Sequence, residues 1–283
     1  MKKAILLSVF LTFSLIGLSQ DKAYVIYNSK GKKVSYKKMI KQLNSADVVM
    51  FGELHNNPIA HWLQLEVTQS LSRKNDLILG AEMMEADNQN ELNAYLGDSL
   101  DQKGLDTAAR LWPNYKTDYA PLVDFAKENN IHFVATNIPR RYANMVYRNG
   151  FEILDSLSAE EKSWMAPLPM KFDSELPSYQ RILEMMGDHG SPSLVMAQAT
   201  KDATMAHFIL ENYKIDHLFI HYNGAYHSDY HEGIVWYLNQ ERTDLNYKTI
   251  TTVSQASIKK LLEENKGKAD FIICVDEDMT TTY

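Results

Sequence analysis

Six short apolar runs separated by stretches of helical periodicity constrain this chain more than any other feature. The runs lie at residues 48–52, 77–81, 131–135, 217–221, 247–253 and 270–275. Between the first two, Ile59, Trp62, Leu63, Val67 and Leu71 recur at helical spacing over 58–71. Asn57-Pro58 supplies that helix with an N-cap and a proline at its first position. Helical patterns also mark 88–96, 121–129, 145–157, 179–186, 193–213, 233–239 and 258–264. Such alternation predicts an α/β fold, with a mostly parallel sheet covered by helices on both faces. Residues 141–212 carry few strand signals, so an α-helical insertion is expected there, forming a lid or pocket wall. Tyr24 to Tyr27 reads as an edge strand, and the polar tail 276–283 is expected to fray.

Two of the runs end alike. Gly52-Glu53-Leu54-His55 closes the first and Gly224-Ala225-Tyr226-His227 follows the fourth. Each reads as a buried strand, a tight glycine turn and a histidine delivered to the strand's carboxyl end. Open α/β sheets bind ligands at that end. The other polar candidates fall on the same side: Glu82 and Glu85 after the second run, Asn137, Arg140 and Arg141 after the third, His221 and Asn223 at and just past the end of the fourth. A convergent patch of two histidines, carboxylates, an amide and an arginine is expected. Two chemistries suit it. His55, Glu82 and His227 have the donor types of a divalent Zn, Mn or Fe site. Alternatively, His55 acts as a general base polarised by Glu53 or Glu82, while Arg140 stabilises an anion. Glu53 and His55, two apart on an extended segment, point the same way.

Plainer roles compete with these. His55 could be a backbone-bonded loop histidine, and Glu82 a buried carboxylate partnered by Arg140. His61 could be solvent-exposed, His221 and His231 peripheral, and Arg140-Arg141 a solvated pair. In the insertion, Gln198, Asp202, Met205 and Ala206 share one helical face, suited to close packing or to a flat ligand. Tyr142, Tyr147, Tyr179 and Tyr226 offer phenols of the kind that ligate ferric haem, with no motif to choose among them. The chain lacks a G-x-S-x-G elbow, a phosphate loop, C-x-x-C-H and H-E-x-x-H.

Met1-Lys2-Lys3, an apolar run over 4–18 and Ser19-Gln20-Asp21 describe a secretory signal peptide over residues 1–20. The run is short for a membrane span, which needs about 20 residues. A retained N-terminal anchor is the rival reading. Export to the periplasm or cell envelope is expected, with residues 21–283 as one domain. No cysteine stands near residue 20, so a lipid-modified N-terminal cysteine is not expected. The lone Cys274 sits in an apolar run and reads as core filler. The formal charge is -7, and removing Lys2 and Lys3 takes it to -9. That balance argues against nucleic acid as a partner. The 16 tyrosines and 13 methionines fit packing, or a pocket for a flat apolar ligand.

Several ordered segments together resemble one family. They are Phe51-Gly52-Glu53-Leu54-His55-Asn56-Asn57, Glu82-Met83-Met84-Glu85-Ala86-Asp87-Asn88-Gln89, Asn137-Ile138-Pro139-Arg140-Arg141-Tyr142, the segment from Gln198 to Ala206, and Asn223-Gly224-Ala225-Tyr226-His227. From about residue 35 to 253 the chain is similar to the ChaN family, the haem-binding uptake branch of the Tiki/TraB/erythromycin-esterase-like superfamily. The resemblance implies an exported protein that binds haem and serves haem or iron uptake with other envelope proteins, a homodimer being one option. Cofactor contacts are expected among Tyr142, Tyr147, Tyr226 and Met205, and the resemblance singles out no haem-ligating tyrosine among them. For the wider superfamily it implies a metal-dependent hydrolytic site (peptidase or esterase type), carried here by His55, His227 and Glu82 with Glu53 beside them; Arg140 joins the catalytic candidates from its place on the same rim. Many ChaN-like proteins are lipoproteins, and this sequence departs from them in lacking the lipobox cysteine.

Overall fold

The computed structural model describes residues 22–187 and 190–283. The expected signal peptide lies outside the described residues. In chain order the elements are β1 (Tyr24–Asn28), α1 (Tyr36–Leu43), β2 (Val48–Glu53), α2 (Pro58–Ser72), β3 (Asp76–Glu85), α3 (Gln89–Leu96), α4 (Gln102–Ala108), α5 (Ala120–Glu128) and β4 (His132–Asn137). Then follow α6 (Arg140–Asn149), α7 (Ala159–Lys162), α8 (Pro177–Met186), α9 (Pro192–Asn212), β5 (His217–Gly224), α10 (Ile234–Glu241), β6 (Tyr247–Gln255) and β7 (Phe271–Asp276). The strands form one seven-stranded sheet in the order β1-β7-β6-β2-β5-β3-β4. Among the described strand pairs only β1–β7 is antiparallel.

Alternate residues along each central strand feed two cores, as the period-two side-chain pattern requires. Val49, Phe51, Leu79, Ala81 and Ile220 pack with Met39, Leu63, Val67, Leu71 and Val123 on one face. Val48, Met50, Ile78 and Phe219 pack with Met205, Ala206, Ile209, Ile234 and Leu238 on the other. Helices therefore cover both faces. Cys274 is buried with Tyr27, Val253 and Ile272. The start signal at Asn57-Pro58 holds: the Asn57 side chain accepts from the Ala60 amide with Pro58 in the first turn. Ser191, which no expectation named, caps α9 in the same way.

The excursion between β4 and β5 is helical, built from α6 to α9, and it begins at Arg140. Among the described residues no helix is long and apolar enough to cross a membrane.

Three expectations change. Residues 258–264 form no α-helix. The Gln255 side chain donates to the carbonyls of Ser257 and Lys260 at 2.6 and 2.7 Å and accepts from Leu262 N and Asn265 Nδ2, which fixes a loop instead. The tail does not splay away from the fold. Thr282 N donates to Asn56 O at 2.9 Å, which brings Tyr283 to the carboxyl end of the sheet. Finally, Gly52 and Gly224 are the extended ends of β2 and β5 rather than turns.

Those glycines serve close approach. A Cβ on Gly52 would lie 3.0 Å from the Ala225 backbone, and one on Gly224 would lie 2.7 Å from His55 Nε2. The topology explains why Glu53 and Gly224, far apart in sequence, meet. β2, β5 and β3 are consecutive in the sheet, and Glu53 sits directly beside Gly224. A register shift in β3 between Ala81 and Glu85 re-aims its carboxyl end, where Glu82 lies.

Candidate functional site

β2 delivers Glu53 and His55. The Glu53 carboxylate is buried and gathers donors from three elements. His55 Nδ1 lies 2.8 Å from Oε1, Tyr119 donates to Oε1 at 2.7 Å, and Gln64 of α2 donates to Oε2. His61 Nδ1 stands 3.4 Å from Oε2. Burial alone would raise this carboxyl. Hydrogen bonds from His55 and His61 outweigh burial and hold it at about 2. Glu53 is therefore a fixed negative charge that orients His55 through Nδ1. His55 Nε2 has no hydrogen-bond partner among the described residues and faces Gly224. The His55 ring packs edge-on to Trp112, with centroids 4.9 Å apart. Burial lowers the His55 pKa, but Glu53 and Glu82 outweigh it, and the net shift is upward.

β3 and β5 deliver a second arrangement. Glu82 Oε2 accepts from the Gly224 amide at 2.7 Å, and Oε1 lies 3.1 Å from His227 Nε2. His227 Nδ1 is bonded to Asp202 of α9, whose other oxygen accepts from Tyr179 at 3.0 Å. Gln198 Nε2 sits over the same imidazole. Burial opposes a charged His227, yet the two flanking carboxylates raise it to about 10. Glu82 is held well below the usual carboxylate range: burial raises it, and His227 and His55 more than offset that. Burial pushes Asp202 up. The row Glu82–His227–Asp202 is thus an internal ion network with an imidazolium at its centre.

This geometry corrects the expected divalent metal site at His55, Glu82 and His227. Among the described residues no three His, Cys, Asp or Glu side chains are arranged to hold a metal ion. The donor chemistry gives the reason. Both His227 nitrogens and both Glu82 oxygens already face partners within the chain, which a metal ion would have to displace. Of the three, only His55 keeps an unengaged atom.

A cavity of about 630 Å³ opens above these groups, within the range of small-molecule sites. Glu53, His55, Glu82, Gln198 and His227 lie on its floor, while Trp112, Ile138, Ile182, Met185 and Met186 supply apolar walls. Arg140 and Lys201 also line it. Glu82 is partnered by His227, not by Arg140; Arg141 turns away to bond Asp87 at 2.6 Å. Asn137 donates to Glu82 O at 3.0 Å, and its Oδ1 is buried without a partner among the described residues. Tyr226 lines the mouth, half exposed, with its hydroxyl 3.3 Å from Met185 Sδ.

The remaining cofactor candidates lie outside this cavity. Tyr142 is buried in a separate cluster, donating to Glu161 at 3.0 Å and accepting from Arg141. Tyr147 is exposed on α6. Met205 is fully buried against the sheet, because the α9 face that starts at Gln198 runs from the cavity into the core. Buried Tyr179 reaches the site only through Asp202. His221 is a core histidine between Thr136 and Asn223, and burial drops it to about 4. His231 bonds Asp270 at 3.1 Å, away from the cavity.

Sequence reasoning missed the residues that support Glu53. His61, expected at the surface, is buried, with Nε2 3.1 Å from His55 O. Gln64 lies one helical turn after it on α2, the i, i+3 signal that would have paired them. Tyr119 comes from a π-helical turn, Tyr115–Tyr119, which no sequence pattern marked.

The comparisons agree with this architecture. The pattern of the family described as haem-binding uptake, Tiki superfamily, ChaN matches residues 39–238. The fold is similar to that of a Campylobacter jejuni ChaN described with cofacial haem binding. The TM-score is 0.67 at 19% identity, over 90% of this chain and 98% of that one. A Bacillus cereus protein matches with a TM-score of 0.51 at 13% identity, over 88% of this chain and 93% of that one. A search of curated proteins finds no match. With its family pattern spanning most of the sheet and both histidine motifs, the chain belongs to the ChaN haem-binding uptake family of the Tiki superfamily.

Proposed function

We propose that this protein binds haem in the cavity above β2, β5 and β3 and serves haem or iron uptake as an exported protein of the cell envelope. Family membership sets the ligand class, and the observation that carries it to this site is the cavity's composition. A volume of about 630 Å³ with Trp112, Ile182, Met185 and Met186 on its walls suits a flat apolar ring. Bound haem would supply iron for transfer. The side chains available to hold it are Tyr226, a phenol at the mouth, and His55, whose Nε2 is unengaged. Hemin titration tests this: a Soret shift with saturable binding is expected, weakened by Tyr226→Phe or His55→Ala. An unshifted Soret band in the wild type would sink it. The leader-like pattern of residues 1–20 supports export. Fractionation of expressing cells checks export, and size-exclusion chromatography with and without hemin checks for a homodimer.

A second reading is favoured by one observation. Glu53, held at about 2, orients His55 through Nδ1 and leaves Nε2 unengaged beside the Gly224 backbone, an acceptor once the pH exceeds the raised pKa of the ring. That is the arrangement of a general base for ester or peptide hydrolysis without a metal ion. Turnover of a chromogenic ester, lost in His55→Asn and unaffected by chelator, would support it. Activity surviving in His55→Asn would remove it.

A further inference from the structure

We propose that Arg140 and Lys201 form a cationic clamp for the two carboxylates of haem, a reading that rests on the haem function above. The charges around the cavity are otherwise satisfied among themselves. Glu53 takes His55, Glu82 takes His227, Glu85 accepts from Arg110 at 2.8 Å, and Asp87 takes Arg110 and Arg141. Arg140 and Lys201 line the cavity and make no ion pair among the described residues. Lys201 helps to lower Glu82 without coming within ion-pair distance of it. Two uncommitted cations thus stand on one cavity of a chain whose formal charge is -7. Uncommitted guanidinium and ammonium groups beside apolar walls hold carboxylates by charge-assisted hydrogen bonds.

Local structure adds to this. Arg140 is the first residue of α6, and no side chain caps that helix, so its positive end is open at the same rim. Elsewhere around the cavity, Trp112, Ile182 and Met185 are apolar. The combination selects an amphipathic ligand, with a flat apolar body and carboxylates at one edge. A guanidinium fork matches a carboxylate, and an ammonium reaches a second one as a point charge.

The test titrates the full protein with hemin and with hemin dimethyl ester, reading the Soret band at low and high salt. The free acid is expected to bind the wild type at least about tenfold more tightly than the diester at low salt, with a smaller gap at high salt. Arg140→Gln and Lys201→Gln should each weaken the free acid and leave the diester unchanged, and Arg140→Lys should restore part of the loss. Arg140 is exposed and unpaired, so its replacement leaves the fold intact. Equal affinity of acid and diester in the wild type, or an unchanged gap in both glutamine variants, overturns the clamp and leaves haem binding standing. Binding of neither ligand overturns both.

Discussion

His55 and His227 leave neighbouring strands by the same glycine-led pattern, yet they become different chemical objects. The His55 side chain is one-third exposed, with Nδ1 on Glu53 and Nε2 unengaged. His227 is buried with one carboxylate on each nitrogen. The local motif places an imidazole at the end of a strand. What the imidazole can then do is decided by the partners that other elements bring. Around His55, α2 and the π-helical turn satisfy the carboxylate and leave the ring available. Around His227, β3 and α9 satisfy the ring itself and convert it into a fixed internal cation.

The sharpest way to break this contrast is His227→Leu. It leaves Glu82 and Asp202 buried together with no cation between them, and removing one partner of a buried network costs about 3–5 kcal/mol. Urea denaturation measures it. A loss below about 1 kcal/mol would mean that the network does not hold the fold. The pH profile sharpens the same point. The His227 pKa is raised from 6.5 to about 10 in the folded protein. Its contribution is therefore complete below pH 6.5 and is lost as pH rises through about 10. Glu53 is lowered from 4.5 to about 2, so its contribution holds above pH 4.5 and is lost as pH falls towards 2. Denaturation midpoints across this range should fall on both sides of neutrality. His227→Leu should remove the alkaline fall nearest pH 10 and keep the acid one.

The two glycines give a smaller, paired test. A Cβ at Gly52 meets the backbone of Ala225 at 3.0 Å and of Ile250 at 3.1 Å, and neither can step aside without moving the sheet. Gly52→Ala should therefore cost about 1–3 kcal/mol. A Cβ at Gly224 meets the His55 ring, which is free on one side. Gly224→Ala should cost less in thermal denaturation, yet displace His55 and weaken hemin binding or ester turnover. Equal stability losses would show that His55 is as tightly held as a strand.

The apolar runs made the sheet legible because each central strand is buried on both faces and reads as continuous hydrophobic sequence. The convergence of Glu53, His55, Glu82 and His227 was legible for the same reason, since strand ends share one rim. Their partners were not. Asp202 lies inside a helical pattern and reads as one polar residue among small ones until α9 packs onto the sheet. Tyr119 depends on a π-helical turn, and His61 on the burial of the first turn of α2. The loop after β6 defeated periodicity because one side chain, Gln255, competes for the backbone that a helix would use. Tyr142 and Met205 show the same limit from the other side: a suitable residue type says nothing of which wall it faces.

His55→Ala is expected to have the smallest effect on stability, and it is the most informative for that reason. Removing the ring does not strand its carboxylate, because Glu53 keeps Tyr119 at 2.7 Å, Gln64, and His61 at 3.4 Å. The ring itself is partly solvated, and its chief packing loss is the edge contact with Trp112, worth about 0.5–1.5 kcal/mol. Denaturation should therefore shift by about 1 kcal/mol, several times less than for His227→Leu. If His55 instead costs as much as His227, the two motifs are equivalent structural devices and the unengaged Nε2 has no special standing. If the loss is small while hemin affinity or ester turnover collapses, the carboxylates around His55 hold a ring whose purpose lies in the cavity. That outcome assigns structure to one histidine and chemistry to the other.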